Sequence, residues 1–296
     1  MNQILLSVII CTYNREDVLG NCLDSLSKQK ASGDFYEVIV VDNNSTDRTR
    51  EVVSTYLDRF DNWRYFFESD QGLSYARNRG CKEARGLYLI YIDDDDILPS
   101  EYLENVRQVI ERFQPDILGG PVYPYYTSKK PRWFKDYYAI RKNEEQSCFS
   151  TRCRITGCNF IIRKALLENL GMFDVDLGMK GNKLGLGEEA LVLDTYRRKT
   201  PAGEQRVYYA LECYVLHHVP DYKMKLSYVL ARQYCGGKMT MRLRPKSVLQ
   251  VILELPLRTM WYIIGGVARR DCVGILRNIV FQLGLVAGAF SKSKDK

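Results

Sequence analysis

The first 120 residues alternate between short apolar runs and longer segments with helical periodicity. Largely apolar runs at 5–10, 37–42 (EVIVVD) and 87–92 are typical of strands that are buried on both faces. Helical patterns follow at 16–28, 47–59, 73–85 and 100–113, and two further strands are predicted at 65–68 and 116–119. Strand and helix alternating with short connections predict an α/β fold with a doubly wound, mostly parallel sheet.

The pattern becomes less regular after residue 123. An aromatic segment occupies 123–138, a helix is predicted at 163–170, and a glycine-rich stretch at 178–187 leads into a predicted helix at 188–198. Two apolar helical segments follow at 247–268 and 272–290. Neither reaches about 20 uninterrupted apolar residues, so we expect helices that lie in the plane of a membrane surface rather than across it. The alternative is a helical hairpin that packs on its own core or on a dimer partner.

Charge also divides the chain, at about residue 220. The 296 residues carry a net charge of +7, yet residues 220–296 hold 14 basic and 4 acidic side chains, against 29 and 32 in residues 1–219. We therefore predict a catalytic domain over 1–220 and a basic, apolar helical extension over 221–296 that contacts an anionic membrane surface or a second copy. Nucleic acid is not an expected partner, because the basic segment is apolar and lacks a known recognition module.

The cysteines indicate a reducing environment. The chain has nine, with no CxxC pair, and its beginning has no basic segment of the kind that opens a secretory signal. Cys148, Cys153 and Cys158 recur every five residues, which is not the paired spacing of a zinc site, and the only histidines are His217 and His218. We expect a cytoplasmic protein without structural zinc.

Four consecutive acids, Asp93, Asp94, Asp95 and Asp96, directly follow a predicted strand. They would lie at the carboxyl edge of the sheet, where open α/β folds bind ligands. Alternate residues of an extended segment point the same way, so Asp93 and Asp95 can face one site. Clustered carboxylates favour Mg²⁺ or Mn²⁺. A solvated acidic turn is the simpler alternative.

Polar residues end two other predicted strands. Thr12, Tyr13, Asn14 and Arg15 follow the first strand and offer an aromatic face, an amide and a guanidinium, while Asp42 ends the second strand and could bind a base or a ribose. Taken singly, Tyr13 could be a core residue and Asp42 a helix cap. A P-loop and a dinucleotide-binding GxGxxG are both absent from the sequence.

In order and spacing these segments resemble the family 2 glycosyltransferases of GT-A fold. The resemblance covers about residues 5–240. It rests on 7–15 (SVIICTYNR), 38–47 (VIVVDNNSTD), 71–78 (QGLSYARN), the DxD-like Asp93 to Asp95, 157–159 (GCN), 171–174 (GMFD) and 187–189 (GEE).

The resemblance implies a role for each matched residue on the donor side. Tyr13 would lie against the nucleobase, Asp42 would bind the base or the ribose, and Arg77 would approach the diphosphate. Asp95 would be the principal metal ligand, with Asp93 and Asp94 supporting it or the ribose. His217 resembles a histidine that reaches the metal or the diphosphate in some members, and His218 is the alternative match.

The catalytic base implied by the resemblance is Glu189. The family usually has a Glu-Asp pair where this chain has Glu188 and Glu189. The second position carries the base, so Glu189 matches it, and Glu188 is the possible substitute.

The resemblance as a whole implies an inverting, metal-dependent glycosyltransferase. It would move a sugar from a nucleotide donor, with UDP-sugars favoured, to a saccharide or lipid-linked acceptor at the inner face of the cell membrane, with Mn²⁺ or Mg²⁺ as cofactor. A sugar-nucleotide nucleotidyltransferase and a catalytically silent glycan-binding scaffold are the alternatives.

Overall fold

The computed structural model describes residues 3–181, 183–268 and 270–293. The strands are β1 Leu6–Thr12, β2 Tyr36–Asp42, β3 Trp63–Phe67, β4 Tyr88–Asp93, β5 Asp96–Ile97, β6 Ile117–Gly119, β7 Val122–Tyr125, β8 Cys148–Phe149, β9 Phe160–Arg163, β10 Val207–Tyr209 and β11 Val215–His218. One sheet has the order β3-β2-β1-β4-β9-β6-β10-β8, and a smaller sheet has the order β5-β11-β7.

The helices alternate with the strands in the first half and follow one another at the end of the chain. They are α1 Leu19–Ser27, α2 Thr49–Leu57, α3 Leu73–Glu83, α4 Tyr102–Phe113, α5 Lys164–Leu170, α6 Glu188–Lys199, α7 Leu226–Leu243, α8 Val248–Ala268 and α9 Cys272–Ser293. The α/β fold with a mostly parallel sheet and a C-terminal helical segment is confirmed.

The large sheet is parallel where the sequence predicts it and antiparallel at two later strands, β9 within the sheet and β8, which pairs with β10 at its edge. β1 pairs in parallel with β2 and β4, β2 with β3, and β6 with β10. β9 runs antiparallel between β4 and β6. Every residue of β2 is buried, which explains the four consecutive apolar residues at 38–41. The register places Thr12 beside Asp42 and Cys11 beside Asp93, so the carboxyl ends of three strands meet at one edge.

One predicted boundary is wrong for a local reason. The helix expected from residue 16 begins at Leu19. The Glu16 backbone N–H donates to Asp47 Oδ2 at 3.0 Å, and Glu16 Oε2 accepts from the Arg48 backbone N–H at 2.7 Å. These bonds hold the preceding residues in a loop against the segment that follows β2.

The chain divides into two compact units. The first contains residues up to Tyr125 together with Asp136–Lys183 and Glu188–His218, and the second contains Tyr126–Lys135, Leu184–Gly187 and the chain from Val219. The first unit holds both sheets.

Within the second unit, glycines let α7 and α9 approach closely. A Cβ placed on Gly237 would collide with the backbone carbonyl of Phe281, and one on Gly284 with that of Tyr234. Met241, Leu285 and Ala289 are buried nearby in a small apolar cluster. The two backbones therefore touch where side chains would normally separate them.

Candidate active site

Four aspartates lie where β4 passes into β5. Asp93 is the last residue of β4, and Asp96 is the first of β5. The Asp93 backbone N–H donates to Asp96 Oδ2 at 3.0 Å, which closes the turn between the strands. Asp94, Asp95 and Asp96 are buried, whereas the side chain of Asp93 is 36% exposed. The turn thus holds three acids inside the protein beside one that reaches solvent.

The carboxylates of the acidic turn repel one another, and a bound cation would offset this repulsion. Burial raises the pKa of Asp94 to about 7; Arg15 opposes this shift, and the charge of Asp95 adds to it. Arg15 Nε lies 3.6 Å from Asp94 Oδ1. Because neighbouring buried carboxylates repel each other, a bound positive charge would stabilise their ionised forms. Carboxylate oxygens are the ligands that Mg²⁺ and Mn²⁺ prefer, so the donor set fits either ion.

Strand β11 brings its histidines to the same turn. β11 pairs antiparallel with β5, which places His217 opposite Asp96. His217 Nδ1 lies 2.7 Å from Asp96 Oδ1 and 3.2 Å from Asp95 Oδ1. The His218 backbone N–H instead donates to the Asp95 carbonyl at 3.1 Å, and its ring stacks on Tyr125 with centroids 5.0 Å apart. The imidazole of His217 thus contacts two of the four acids.

Four potential ligand atoms converge beside the turn. They belong to Asp93, Asp96, Cys158 and His217, and all lie within 4.8 Å of one another. Asp93 and His217 are predicted metal ligands, whereas Asp96 and Cys158 are not. Burial, assisted by the charge of Asp96, raises the pKa of the Cys158 thiol, which is therefore neutral at pH 7. The third predicted ligand, Asp95, contacts the same nitrogen of His217.

Arg77 connects the acidic turn with the first turn of α6. It lies on α3, is 3% exposed, and pairs with Glu188 at 2.7 Å between Nη1 and Oε1. Its Nη2 lies 3.5 Å from Asp93 Oδ1 and donates to the Gly157 carbonyl at 3.2 Å. A Cβ on Gly157 would come within 2.8 Å of this guanidinium, so the glycine makes room for it. Arg77 thereby fixes the position of Glu188 relative to Asp93.

The two glutamates of α6 differ in their surroundings. Glu188 is 5% exposed, and burial raises its pKa to about 7, with the charge of Glu189 adding to the shift and Arg77 opposing it. Its Oε2 has no hydrogen-bond partner among the described residues. Glu189 is the more exposed of the two. One oxygen of Glu188 is thus committed to Arg77, and Glu189 is the glutamate with access to solvent.

The predicted donor-binding residues lie on two loops that are bonded to each other. Asn14, with φ 51°, accepts a hydrogen bond from the Thr46 backbone N–H at 2.8 Å. Asp42 accepts from the Ser45 backbone N–H at 2.9 Å and from the Tyr65 hydroxyl at 2.8 Å. The loops are therefore preorganised before any ligand arrives.

The other donor-side residues occupy the same edge. Thr12 is 2% exposed, whereas Tyr13 and Arg15 are partly exposed. The structure thus brings Thr12, Tyr13, Arg15 and the acidic turn together. Their contacts with a donor, like that of Arg77, stay predictions.

Sequence reasoning missed several residues that build this site. Asn43 accepts from the Gly72 backbone N–H at 2.7 Å and donates to the Asp70 carbonyl at 2.7 Å, which ties the segment before α3 to the end of β2. Asn159 is fully buried and accepts from the Tyr102 hydroxyl at 2.7 Å. Asn43 carried a usable signal, because a polar residue directly after a buried strand lies at the ligand-binding edge.

The fold and this edge define an α/β protein with an acidic, partly buried site at the carboxyl ends of its strands, and comparison with known proteins gives the family. The family model described as "Glycosyl transferase family 2" matches residues 7–171. The chain belongs to this family, and the predicted membership is confirmed.

Individual relatives match parts of the chain. An uncharacterized glycosyltransferase, EpsJ of Bacillus subtilis, is 34% identical over 43% of this chain and 36% of its own length. The glycosyltransferase AglE of Haloferax volcanii is 30% identical over 56% of this chain and 55% of its own. A glucosyl-dolichyl phosphate glucuronosyltransferase of the same organism is 28% identical over 78% of this chain and 74% of its own. The chain thus matches 36% of the length of the first of these relatives and 55% of the length of the second.

A solved structure has the same fold over nearly the whole chain. The crystal structure of Staphylococcus aureus TarS 1-349 in complex with UDP-GlcNAc covers 99% of this chain and 93% of its own, with a TM-score of 0.59 and 17% sequence identity. This likeness concerns the fold.

Proposed function

We propose that this protein is a metal-dependent glycosyltransferase that moves a sugar from a nucleoside diphosphate, UDP by preference, to a hydroxyl of a saccharide or lipid-linked glycan. The observation that carries the proposal is the chain of contacts from Asp93 through Arg77 to Glu188 at the carboxyl edge of the sheet. It links a cation-binding turn to a pair of glutamates. A relative named a glucosyl-dolichyl phosphate glucuronosyltransferase and a TarS structure with UDP-GlcNAc support this class of reaction.

The donor lies across the ends of β1, β2 and β4 in this proposal. Tyr13 contacts the nucleobase, Asp42 binds the base or ribose, and Thr12, Asn14 and Arg15 shape the pocket. Because Asn14 and Asp42 already hold their loops through Thr46, Ser45 and Tyr65, binding requires little reordering. Arg77 is buried behind Asp93, so its charge acts on the diphosphate from behind the acidic turn.

Asp93 and Asp95 would hold Mn²⁺ or Mg²⁺, with Asp94 at its side and His217 as the third ligand. When bound, the ion supplies positive charge that stabilises the departing diphosphate. The protein's own contribution is to hold the ligands in place: Asp96 accepts the Asp93 backbone N–H and also contacts the His217 ring. Such outer contacts orient metal ligands.

Glu189 removes the proton from the acceptor hydroxyl in this proposal. It sits in the first turn of α6, whose position is fixed by the ion pair between Glu188 and Arg77. With the base on the side opposite the leaving group, displacement is direct and the anomeric carbon inverts. A positioned carboxylate base contributes typically ~10²–10⁴-fold to such a step.

Residues 221–296, which form most of the second unit, dock the enzyme on the cytoplasmic face of the membrane in this proposal, and residues 1–220 are the catalytic domain. Val248–Gly265 and Cys272–Phe290 are long and apolar enough to cross a membrane by length and composition, and 6% and 28% of these windows are buried. The excess of basic residues after 220 and the exposed apolar side chains of α8 favour contact with an anionic lipid surface.

A thermal-shift experiment tests the donor and metal parts of the proposal. UDP with Mn²⁺ should raise Tm more than UDP with a chelator, because a ligand that binds only the folded state stabilises it. Asp95→Asn should remove the metal-dependent part of the shift. Asp34→Asn, in an exposed turn, should keep it. Equal Tm shifts with Mn²⁺ and with chelator, or an unchanged metal effect in Asp95→Asn, would contradict the proposed metal site.

A further inference from the structure

A cavity of about 650 Å³ lies between α8 and α9. Its walls include Leu255, Met260 and Ile263 from α8 and Ile279 and Leu283 from α9. The volume is in the range of pockets that enclose small ligands. We call this cavity the α8–α9 groove.

One buried polar group interrupts the apolar wall of the groove. Gln282 is 3% exposed, and its Oε1 lies 3.0 Å from the Thr259 hydroxyl, which also contacts the Leu255 carbonyl at 2.8 Å. The Gln282 Nε2 has no partner among the described residues. Rotating the amide would pair Nε2 with Thr259 and leave Oε1 unpaired instead. In either orientation the groove presents one unsatisfied amide atom, which a ligand with a single polar group would satisfy.

The outer side of α8 has a broad apolar face next to the groove. Exposed apolar side chains along the helix include Leu249, Leu253 and Leu257, and Met260 and Ile264 belong both to this face and to the wall of the groove. With those at 252, 261, 263 and 267 they span an arc of about 180° at 3.6 residues per turn. A seam for one partner helix is narrower than this. The breadth of the face favours an extended apolar phase over a single helix of a second copy.

The positive charge of the C-terminal segment indicates that this apolar phase is a membrane leaflet. Residues 220–296 hold 14 basic and 4 acidic side chains, which complement the anionic headgroups of a membrane leaflet. We propose that the α8–α9 groove binds one hydrocarbon chain of a membrane lipid, with the Gln282 amide bonded to the first oxygen at the head end of that chain. This rests on the proposed docking of the second unit and goes further, because it assigns a saturable site rather than general adsorption.

A matched pair of variants on α9 separates the groove from the surrounding surface. Ile279 lines the groove and is 37% exposed, whereas Leu276, one turn earlier, is 38% exposed and lies outside the lining. Ile279→Trp should fill the groove, and Leu276→Trp should not. Ile263→Trp fills the groove from α8 and serves as the second variant if Ile279→Trp does not fold.

The measurement is titration of the full chain with cis-parinaric acid, a fluorescent C18 fatty acid, without vesicles. The wild type should bind one probe per chain. We expect Ile279→Trp to weaken binding at least 10-fold and Leu276→Trp less than 2-fold. Gln282→Leu should weaken binding of this carboxylate probe about threefold. The absence of saturable binding to the wild type, or equal losses in both tryptophan variants, would overturn the groove assignment, and unchanged or tighter binding by Gln282→Leu would overturn the amide contact.

Flotation with phosphatidylglycerol vesicles separates failure of the groove from failure of membrane docking. Leu253→Glu with Leu257→Glu, on the outer face of α8, should abolish flotation and leave probe binding intact. Ile279→Trp should still float. If the wild type binds the probe but does not float, the docking proposal is wrong and the groove stands. A wild-type dimer in sedimentation velocity that Ile279→Trp converts to monomer, without probe binding, would assign the groove to a second copy instead.

Discussion

The carboxyl edge of the large sheet and the helices after residue 247 differ in which side chains they bury and which they expose. At the sheet edge, Arg77 and Glu188 are withdrawn from water and paired with each other, and the buried Asp96 contacts His217. On α8, apolar groups such as Leu253 and Leu257 are 67% and 69% exposed. In the first region, most of the buried charged groups find their partners within the fold. The second region exposes a large apolar surface to water, which is unfavourable.

This difference indicates where each region finds its stabilisation. Buried charges are tolerated at the sheet edge because each has a partner of opposite sign or a hydrogen-bond donor within reach. Each exposed leucine of α8 leaves about 1.5–3 kcal/mol of transfer free energy unrealised until an apolar environment covers it. The geometry of the sheet edge is therefore built by the fold, whereas the exposed apolar face of α8 would gain stabilisation only from an apolar environment outside the described residues.

The largest expected effect is a loss of turnover in a variant, Glu189→Gln, that still folds and binds the donor. Glu189→Gln should lower the rate of sugar transfer by ~10²–10⁴, because the amide cannot accept the acceptor proton. The thermal shift with UDP and Mn²⁺ should stay as in the wild type, since the donor contacts are unchanged. Single-turnover assays with a sugar nucleotide would measure the rate.

Glu188→Gln is the control for Glu189→Gln. Glu188 is paired with Arg77, so its replacement should lower stability and change the position of α6 as well as the activity. A fully active Glu189→Gln together with an inactive but folded Glu188→Gln would assign the base to Glu188.

The next prediction concerns the contrast between a buried and an exposed ion pair on one helix. Arg77→Leu leaves Glu188 without its partner and should lower the free energy of unfolding by about 3–5 kcal/mol. Arg79 on the same helix pairs with Glu83, and their side chains are 35% and 31% exposed. Arg79→Leu should cost about 0.5 kcal/mol or less.

Guanidinium denaturation followed by fluorescence would measure both variants, with the buried Trp63 on β3 as a reporter in the first unit. Equal midpoints for Arg77→Leu and Arg79→Leu would contradict a structural role for the buried pair. They would also remove the reason for placing Glu188 outside the chemistry.

The sequence predicted what depends on local pattern. Strands β1, β2 and β4 were visible as apolar runs, and Asp42 and Asp93 were placed at the edge because they end such runs. The contact between His217 and Asp96 was not predictable, because it depends on the register between β11 and β5, which are far apart in sequence. Cys158 lies in a short 3₁₀ turn, which has no sequence periodicity that would predict it. Tyr65 donates a hydrogen bond to Asp42 only because β3 pairs in parallel with β2.

The pattern of the C-terminal region predicted its helices but not how those helices pack. The segments at 247–268 and 272–290 correspond to α8 and α9. Their apolar content left membrane contact and packing as alternatives. Packing accounts for the contact between α7 and α9, where glycines bring the backbones together, whereas the outer face of α8 stays exposed.

The smallest expected effect tests that contact with two adjacent glycines of α7. A Cβ at Gly237 would collide with the Phe281 carbonyl, whereas one at Gly236 would lie 3.6 Å from the Phe281 ring, an ordinary contact. Gly237→Ala should therefore destabilise the second unit by about 1–3 kcal/mol, as overpacking does. Gly236→Ala should stabilise it by about 0.5–1 kcal/mol, because alanine loses less backbone entropy in a helix. Helical circular dichroism during thermal unfolding would report both shifts, and shifts of the same sign would show that α7 and α9 are not held at backbone contact.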